Sequence, residues 1–328
     1  MKILIAGAGS IGKRHFRNLA EQGVRDFVFL SRRPFKSAWQ AAWQVSSEAK
    51  VEVETDLKVA LEKHQPHAVV VSNPTALHLD VAIPAAAAGC HLLLEKPISH
   101  NMERVWALHD IVKAKKLKVL VGFQFRFHPG LATVRQYLLE KRIGDVTSVG
   151  VYWGENVKLW HPEENYKESY AVRSDLGGGV VRTLCHPFDY LRWLFGEVES
   201  VSAMTGNRGG LQIDVEDTAD VLLRFKSGVI GNVHLDYIQT PSVHAMRIAG
   251  TEGVLNWNAN SSDVGVCDAP KQDNLSRNSY FMREAVHFLD CISIVDKSPQ
   301  VTLDDGMAAL RIILAVFKSV EQRYNVLL

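Results

Sequence analysis

The sequence predicts an α/β chain: an N-terminal Rossmann dinucleotide-binding domain, then an α+β domain with a large, mostly antiparallel open sheet. Three observations carry this expectation. A short apolar strand runs into Gly7-x-Gly9-x-x-Gly12 and straight on into helical spacing. Apolar runs then alternate with helix-length segments as far as Gly122. Beyond Gly144 the texture changes to longer stretches in which apolar and polar residues alternate, the pattern of half-buried antiparallel strands.

The chain of 328 residues is long enough for two domains, expected at 1–122 and 123–328 with the boundary at Gly122–Phe123. Hydrophobic residues make up 47% and charged residues 22%, an ordinary globular composition. A net charge of +1 gives no electrostatic reason to expect nucleic acid or an anionic membrane as partner. Cys90, Cys185, Cys267 and Cys291 are far apart in sequence and match no metal or redox spacing. No metal site is expected, and the natural compartment is the reducing cytoplasm. No leader peptide is expected, because the strand-like start meets glycine at once. The apolar stretches fall short of the roughly 20 residues that span a bilayer.

Residues 2–6, Lys-Ile-Leu-Ile-Ala, read as a buried parallel strand. In the loop after this strand, Gly7 permits a tight turn and Gly9 lets backbone approach a pyrophosphate. Gly12 allows helix to pack closely on strand, while Ser10 and Ile11 open a helix whose free N–H groups and dipole favour an anion. Ile11, Phe16, Leu19 and Ala20 form one face of that helix. The next strand, Phe27–Leu30, ends in Ser31-Arg32-Arg33. An NAD-selective site would place a carboxylate there, about twenty residues past the glycines, to hold the ribose 2′-hydroxyl. A hydroxyl and two guanidinium groups suit a 2′-phosphate instead. NADP is therefore the expected cofactor, with NAD the alternative; solvated loop arginines are the ordinary reading of the same residues.

A strand near 51–53, a helix near 56–64 and a strand at 68–72 continue the alternation. Asn73-Pro74-Thr75 then turns into an alanine-rich helix; Asn73 and Thr75 are candidate caps that could also touch the cofactor. His78 alone reads more simply as a satisfied first-turn histidine. The run Leu92-Leu93-Leu94 ends in Glu95-Lys96-Pro97, the way a buried strand delivers charged groups to the sheet edge where ligands sit. A partly desolvated lysine at that place can exchange protons near neutrality; a surface Glu–Lys pair is the plain alternative. A helix near 101–115 and a strand at 118–122 complete roughly six strands of one dinucleotide-binding unit.

After Gly122 comes the aromatic and basic stretch Phe123-Gln124-Phe125-Arg126-Phe127-His128-Pro129, then a helix near 130–141. In Val229–Tyr237, Val229, Gly231, Val233, Leu235 and Tyr237 share one strand face, against Ile230, Asn232, His234 and Asp236. Between these lies Asp175-Leu176-Gly177-Gly178-Gly179, leading through Thr183 to His186-Pro187-Phe188-Asp189. Three glycines let backbone come close to another surface, and His186 and Asp189 fall on one side of the next helix. Histidine suits proton exchange near neutral pH; a capping or core histidine is the ordinary alternative.

Together these motifs resemble the Gfo/Idh/MocA oxidoreductases, the family of glucose–fructose oxidoreductase and inositol dehydrogenase. The resemblance rests on the glycine loop, Asn73-Pro74-Thr75-x-x-His78, Glu95-Lys96-Pro97, the Arg126-Phe127-x-Pro129 segment and the triple glycine before His186-x-x-Asp189, and runs from residue 3 to about 195. It implies a Rossmann domain, a mixed α/β domain, and NAD(P)-dependent chemistry on a sugar, sugar derivative, nucleotide-linked sugar or cyclitol, in dimers or tetramers. It implies that Lys96 and His186 are catalytic, that both line one cleft, and that the Lys96–Pro97 bond is cis. Thr183 stands near the place where many members carry an aspartate, and a threonine cannot act as a carboxylate base.

The expected cofactor set is Gly7, Gly9, Ser10, Ile11, Gly12, Ser31, Arg32, Arg33, Asn73, Pro74, Thr75, His78, Glu95, Lys96 and Gln124. His186 is the leading acid/base, with Lys96 stabilising the developing alkoxide; Lys96 as principal acid/base is the alternative. Arg126 reads as an anchor for an anionic substrate group or a tie between domains. Trp160, Tyr166, Thr183 and Asp189 are the other candidate substrate residues, since aromatic faces suit sugar rings. The competing function is a dinucleotide-binding sensor that has lost turnover.

Overall fold

The computed structural model describes residues 1–31, 49–268 and 275–328. It divides into two compact units: Met1–Phe123 with Phe281–Met307, and Gln124–Tyr280 with Ala308–Leu328.

In the first unit, β1 (Lys2–Ala6), β2 (Asp26–Leu30), β3 (Lys50–Glu54), β4 (Ala68–Val71), β5 (His91–Leu94) and β6 (Val119–Val121) form a sheet in the order β3-β2-β1-β4-β5-β6. Every pairing is parallel. The unbroken apolar runs are what such a sheet requires, because helices cover both faces: Ile3–Ile5, Val69–Val71 and Leu92–Leu94 are completely buried. Helix α1 (Ser10–Glu21) packs Phe16 edge-on against Phe27 and Phe29. Helix α2 (Leu57–His64) is capped by Asp56, whose carboxylate accepts from the Val59 amide at 2.9 Å. Helices α3 (His78–Ala87) and α4 (Val105–Ala114) complete the first part. Helix α4 starts later than the expected 101 because the Asn101 side chain accepts from the Glu103 amide and holds a turn there. The strand order reverses between β1 and β4, which sets the loops after those strands side by side at the carboxyl edge of the sheet.

The first division falls at Phe123/Gln124, next to the expected boundary. The second expected span, 123–328, is not continuous, because Phe281–Met307 belongs to the first unit. There the Val121 amide donates to the Val301 carbonyl at 3.0 Å, extending the edge beyond β6. Gly306 lies so close to Ile98 and Val121 that a Cβ would sit 2.7 and 3.0 Å from their methyl groups.

The second unit begins with a 3₁₀ turn, Gln124–Phe127, and α5 (Pro129–Leu139). Strands β7 (Val146–Gly154), β8 (Val198–Gly206), β9 (Thr218–Phe225), β10 (Ile230–Asp236), β11 (Val243–Gly250), β12 (Val254–Asn258), β13 (Gly265–Val266) and β14 (Val326–Leu327) form one sheet in the order β13-β12-β11-β7-β10-β9-β8-β14. Among the described residues of this sheet only β7 and β10 pair in parallel. A parallel pair needs a crossover rather than a hairpin, and this crossover carries the triple glycine and α6 (His186–Phe195). The period-two reading holds: Val221, Leu223, Val233 and Leu235 are buried, while Leu222 and Ile230 are half exposed. Helices α7 (Arg277–Ser293) and α8 (Leu303–Gln322) each contain one of the remaining divisions between the units.

Candidate active site

The first unit shapes its site from backbone. Gly7 has φ +112°, and a Cβ there would lie 2.5 Å from the Asn73 amide nitrogen and from Ser72, so only glycine fits the turn. A Cβ on Gly12 would fall 2.0 Å from the Gly7 carbonyl, whereas one on Gly9 would meet nothing within 4 Å. The close contacts lie inside the protein and the open one faces outward, as a backbone cradle for a pyrophosphate demands. Gly9 caps α1 without a side-chain hydrogen bond, and the first turn carries no acidic residue. The N–H groups of the helix start around Ser10 and Ile11 are therefore available to an anion.

Beside this cradle lies the loop after β4. Ser72 Oγ donates to the carbonyls of Ala6 and Gly7 at 3.0 and 3.2 Å, fixing the two loops together. Asn73 does not cap with its oxygen; its amide nitrogen donates to the Leu77 carbonyl at 2.8 Å. Its Oδ1 is buried without a hydrogen-bond partner among the described residues, an acceptor left for a ligand donor. Pro74 precedes the short 3₁₀ turn Thr75–Leu77, in which Thr75 is buried. His78 is buried, with Nε2 and Nδ1 each 2.9 Å from a carbonyl, those of Asn73 and Pro97. Burial pushes its pKa down to about 4 against the pull of those carbonyls and Glu95. A neutral ring has one N–H and donates to only one of the two carbonyls; only the doubly protonated ring, which burial opposes, would donate to both.

The Lys96–Pro97 bond is cis, as the resemblance implies. Glu95 is buried, and its Oε1 accepts from His15 Nε2 at 2.7 Å. Burial would raise the Glu95 carboxyl, but His15 and Lys96 together outweigh it and hold the group below its ordinary range. Gly122 makes room for this carboxylate: a Cβ there would lie 3.0 Å from Glu95 Cδ. Ser31 donates its amide to the Glu54 carbonyl at 3.0 Å; Arg32 and Arg33 lie outside the described residues.

The second unit holds His186 at the start of α6, its ring edge-on to Phe125 at 5.0 Å and tilted against Trp153 at 5.7 Å. Gln124 Nε2 stands 3.3 Å from His186 Nε2. An amide NH₂ can only donate, so His186 presents the lone pair of Nε2. Two residues on, Arg126 grips Asp189 in a bidentate pair, both bonds 2.8 Å and both side chains buried. The 3₁₀ turn thereby meets α6 twice and fixes its first turn. Arg126 and Asp189, expected at a substrate, are bound to each other. Thr183 is buried, and the Tyr237 hydroxyl donates to the Ala171 carbonyl at 3.0 Å. Trp160 and Tyr166 line a shallow depression together with His161, Glu164 and Asn165. The Tyr166 hydroxyl donates to the Leu211 carbonyl at 2.9 Å. Among the described residues no group of His, Cys, Asp and Glu side chains could hold a metal ion.

Three participants escaped the sequence reading. His15 lies on the buried stripe of α1 with Gly12, Phe16 and Leu19, and a polar residue in such a stripe signals a buried partner. Glu284 sits likewise among Phe281, Ala285 and Phe288 on α7. Glu216 accepts from the Val181 amide at 3.1 Å and covers Gly179, where a Cβ would fall 2.3 Å from its oxygen.

Two family descriptions match the chain: an oxidoreductase family with NAD-binding Rossmann fold over residues 1–123, and the GFO/IDH/MocA C-terminal domain over residues 131–256. Inositol 2-dehydrogenase of Rhizobium meliloti is 26% identical, over 98% of this chain and 97% of its own. Levoglucosan dehydrogenase of Pseudarthrobacter phenanthrenivorans is 28% identical over 64% of this chain, and the match spans 60% of that relative's length. A solved structure of levoglucosan dehydrogenase, in complex with NADH and levoglucosan, superposes with a TM-score of 0.83 at 23% identity. It covers 99% of this chain and 98% of the other, and shows the shared fold.

The Arg126–Asp189 pair yields the first prediction. Arg126→Met leaves a buried carboxylate uncompensated, so stability should fall by about 3–5 kcal/mol. Adding Asp189→Leu to Arg126→Met should recover most of that loss, as measured by denaturant unfolding.

Proposed function

The chain belongs to the Gfo/Idh/MocA oxidoreductases, and we propose that it is a dehydrogenase or reductase that uses NADP in preference to NAD. Its substrate in this reading is a secondary alcohol or ketone of a sugar, sugar derivative or cyclitol. The observation that carries the reading lies within one parallel sheet. An anion-ready helix start comes after β1, and a buried glutamate that accepts from the Lys96 backbone amide comes after β5. The relatives named as inositol and levoglucosan dehydrogenases support it.

The backbone of Gly7, Gly9, Ser10, Ile11 and Gly12 would hold the pyrophosphate, and Asn73 Oδ1 would offer an acceptor to a donor of the dinucleotide. When bound, the nicotinamide supplies the hydride acceptor or donor. The chain itself must manage the proton. In the oxidation, the substrate hydroxyl takes the place of the Gln124 amide at His186 Nε2, and that lone pair removes the hydroxyl proton. Lys96 is the candidate for stabilising negative charge that develops on a substrate oxygen. Arg126 and Asp189 serve this chemistry indirectly, by fixing the first turn of α6 on which His186 stands. Trp160, Tyr166 and Thr183 belong to the substrate's surroundings.

Lys96→Met and His186→Ala should each leave dinucleotide binding intact and lower turnover by about 10²–10⁴. The double variant should lose much less than the product of the two. Near-normal turnover in either single variant, monitored by reduced-nicotinamide absorbance on a confirmed substrate, would overturn the assignment.

Cofactor choice rests on Ser31-Arg32-Arg33. Alanine at both arginines should weaken NADP far more than NAD in a binding titration; equal loss would show that these side chains do not read the 2′-phosphate.

Leu222, Ile230 and Met204 leave large apolar side chains exposed on the sheet of the second unit. A second copy of the chain covering that face gives a dimer or tetramer. Light scattering at micromolar concentration should return a multiple of 36.6 kDa, and a monomeric mass would contradict the assembly.

A further inference from the structure

Helix α7 contributes a carboxyl that the chemistry above does not use. Glu284 is completely buried, and neither of its oxygens has a hydrogen-bond partner among the described residues. One turn earlier, Phe281 lies edge-on to the His15 ring at 6.3 Å and under the Arg14 guanidinium at 4.6 Å. Residues three apart share a helix side, so Glu284 is directed toward the same place. The same His15 ring meets Glu95 at 2.7 Å, so α7 and the segment after β5 converge on one side chain. The remaining ring nitrogen of His15, Nδ1, is also buried without a partner among the described residues.

We propose that Glu284 is a positioning residue of the reaction centre: an uncharged carboxylic acid that acts through Glu95 and keeps a single negative charge set against Lys96. The inference rests on the role given to Lys96 above. Two buried carboxyls in mutual range cannot both ionise at low cost. Glu95 carries the charge, because His15 Nε2 and the Lys96 amide, at 2.7 and 3.3 Å, both point at it. Glu284 has no such donors, so the proton stays there. Burial, with the charge of Glu95 added, pushes its carboxyl well above the ordinary value of 4.5. On its own helix Arg283 is exposed, and His287 accepts from the Gln300 amide instead. A buried carboxyl without partners costs stability, and a leucine would fill the same apolar stripe without that cost. Its presence is explained if the acid tunes the charge that faces Lys96.

Between the ordinary glutamate value and the raised folded value, the unfolded chain has lost a proton that the folded chain keeps, so stability falls as pH rises through that window. Glu284→Leu should therefore melt higher than the natural protein, by a margin that grows above pH 4.5.

The deciding experiment is infrared difference spectroscopy on the full chain at neutral pH, with no substrate present. The natural protein should show the carbonyl stretch of a protonated carboxylic acid, Glu284→Gln should lack it, and Lys96→Met should shift it. A missing band, or one unmoved by Lys96→Met, overturns the proposal whether or not a substrate is known. On a confirmed substrate, Glu284→Leu should lower kcat about tenfold, or roughly 1.4 kcal/mol in barrier, with KM for the dinucleotide unchanged. Glu284→Gln, an uncharged isostere, should recover most of that loss. Full turnover in Glu284→Leu, or equal loss in both variants, overturns the proposal. If Glu284→Leu fails to fold, the infrared result and the turnover of Glu284→Gln decide it alone. Absence of turnover in the natural protein with every sugar and cyclitol tested would count against the dehydrogenase reading, while the infrared result would stand.

Discussion

A charge buried in protein must be met by donors or by an opposite charge, and this constraint organises the carboxyl edge of the parallel sheet. Glu95 meets it through His15 on α1 and through the Lys96 amide. Because His15 stands one turn past the glycine loop, the bond ties that loop to the end of β5. Ser72 ties the same loop to the end of β4, and the His78 ring lies between the β4 loop and Pro97, within reach of a carbonyl on each. Three loops from three strands are thus cross-linked by polar bonds withdrawn from water, where such bonds are strong and their loss is costly. The site's rigidity is a result of satisfying buried polar groups.

The second unit answers the same constraint with an ion pair. Arg126 and Asp189 are both almost wholly buried, and the bidentate geometry satisfies two of the guanidinium's donors at once. Such a pair adds little stability relative to an apolar substitute, but it specifies how its two elements meet. Here those elements are the turn bearing Gln124 and the helix bearing His186. The ion pair sets the register, and the Gln124 amide then reaches the imidazole.

Much of this was legible in the sequence, and the limits have physical reasons. Unbroken apolar runs foretold the parallel sheet, and period-two alternation foretold the antiparallel one, since both patterns report local burial. Gly7 and Gly12 were legible because close backbone contact excludes every side chain. The partners were not legible. Arg126 and Asp189 are separated by 63 positions, and Gln124 and His186 by 62, and no local pattern says which distant residue a buried polar group will meet. Asn73 was expected as a cap through its oxygen and instead donates through its nitrogen, a choice that depends on the path of the next turn. His15 and Glu284 stood visible as polar residues on apolar helix faces, yet the face says only that they are buried. Helical periodicity likewise marks α7 as amphipathic without saying that Phe281–Met307 returns to the first unit.

That return has a bearing on how the chain is made. A domain at the N-terminus ordinarily folds while the ribosome is still adding the residues of later domains. Here the first unit includes Phe281–Met307, and its β6 edge donates a backbone hydrogen bond to Val301. The glycine loop emerges early, but the carboxyl of Glu284 and the backbone that borders β6 arrive only after Gln124–Tyr280 of the second unit has been made. Until then the nascent sheet has an open edge at β6, and unpaired edges invite association with other strands. Completion of the first unit therefore waits on a segment made after most of the second.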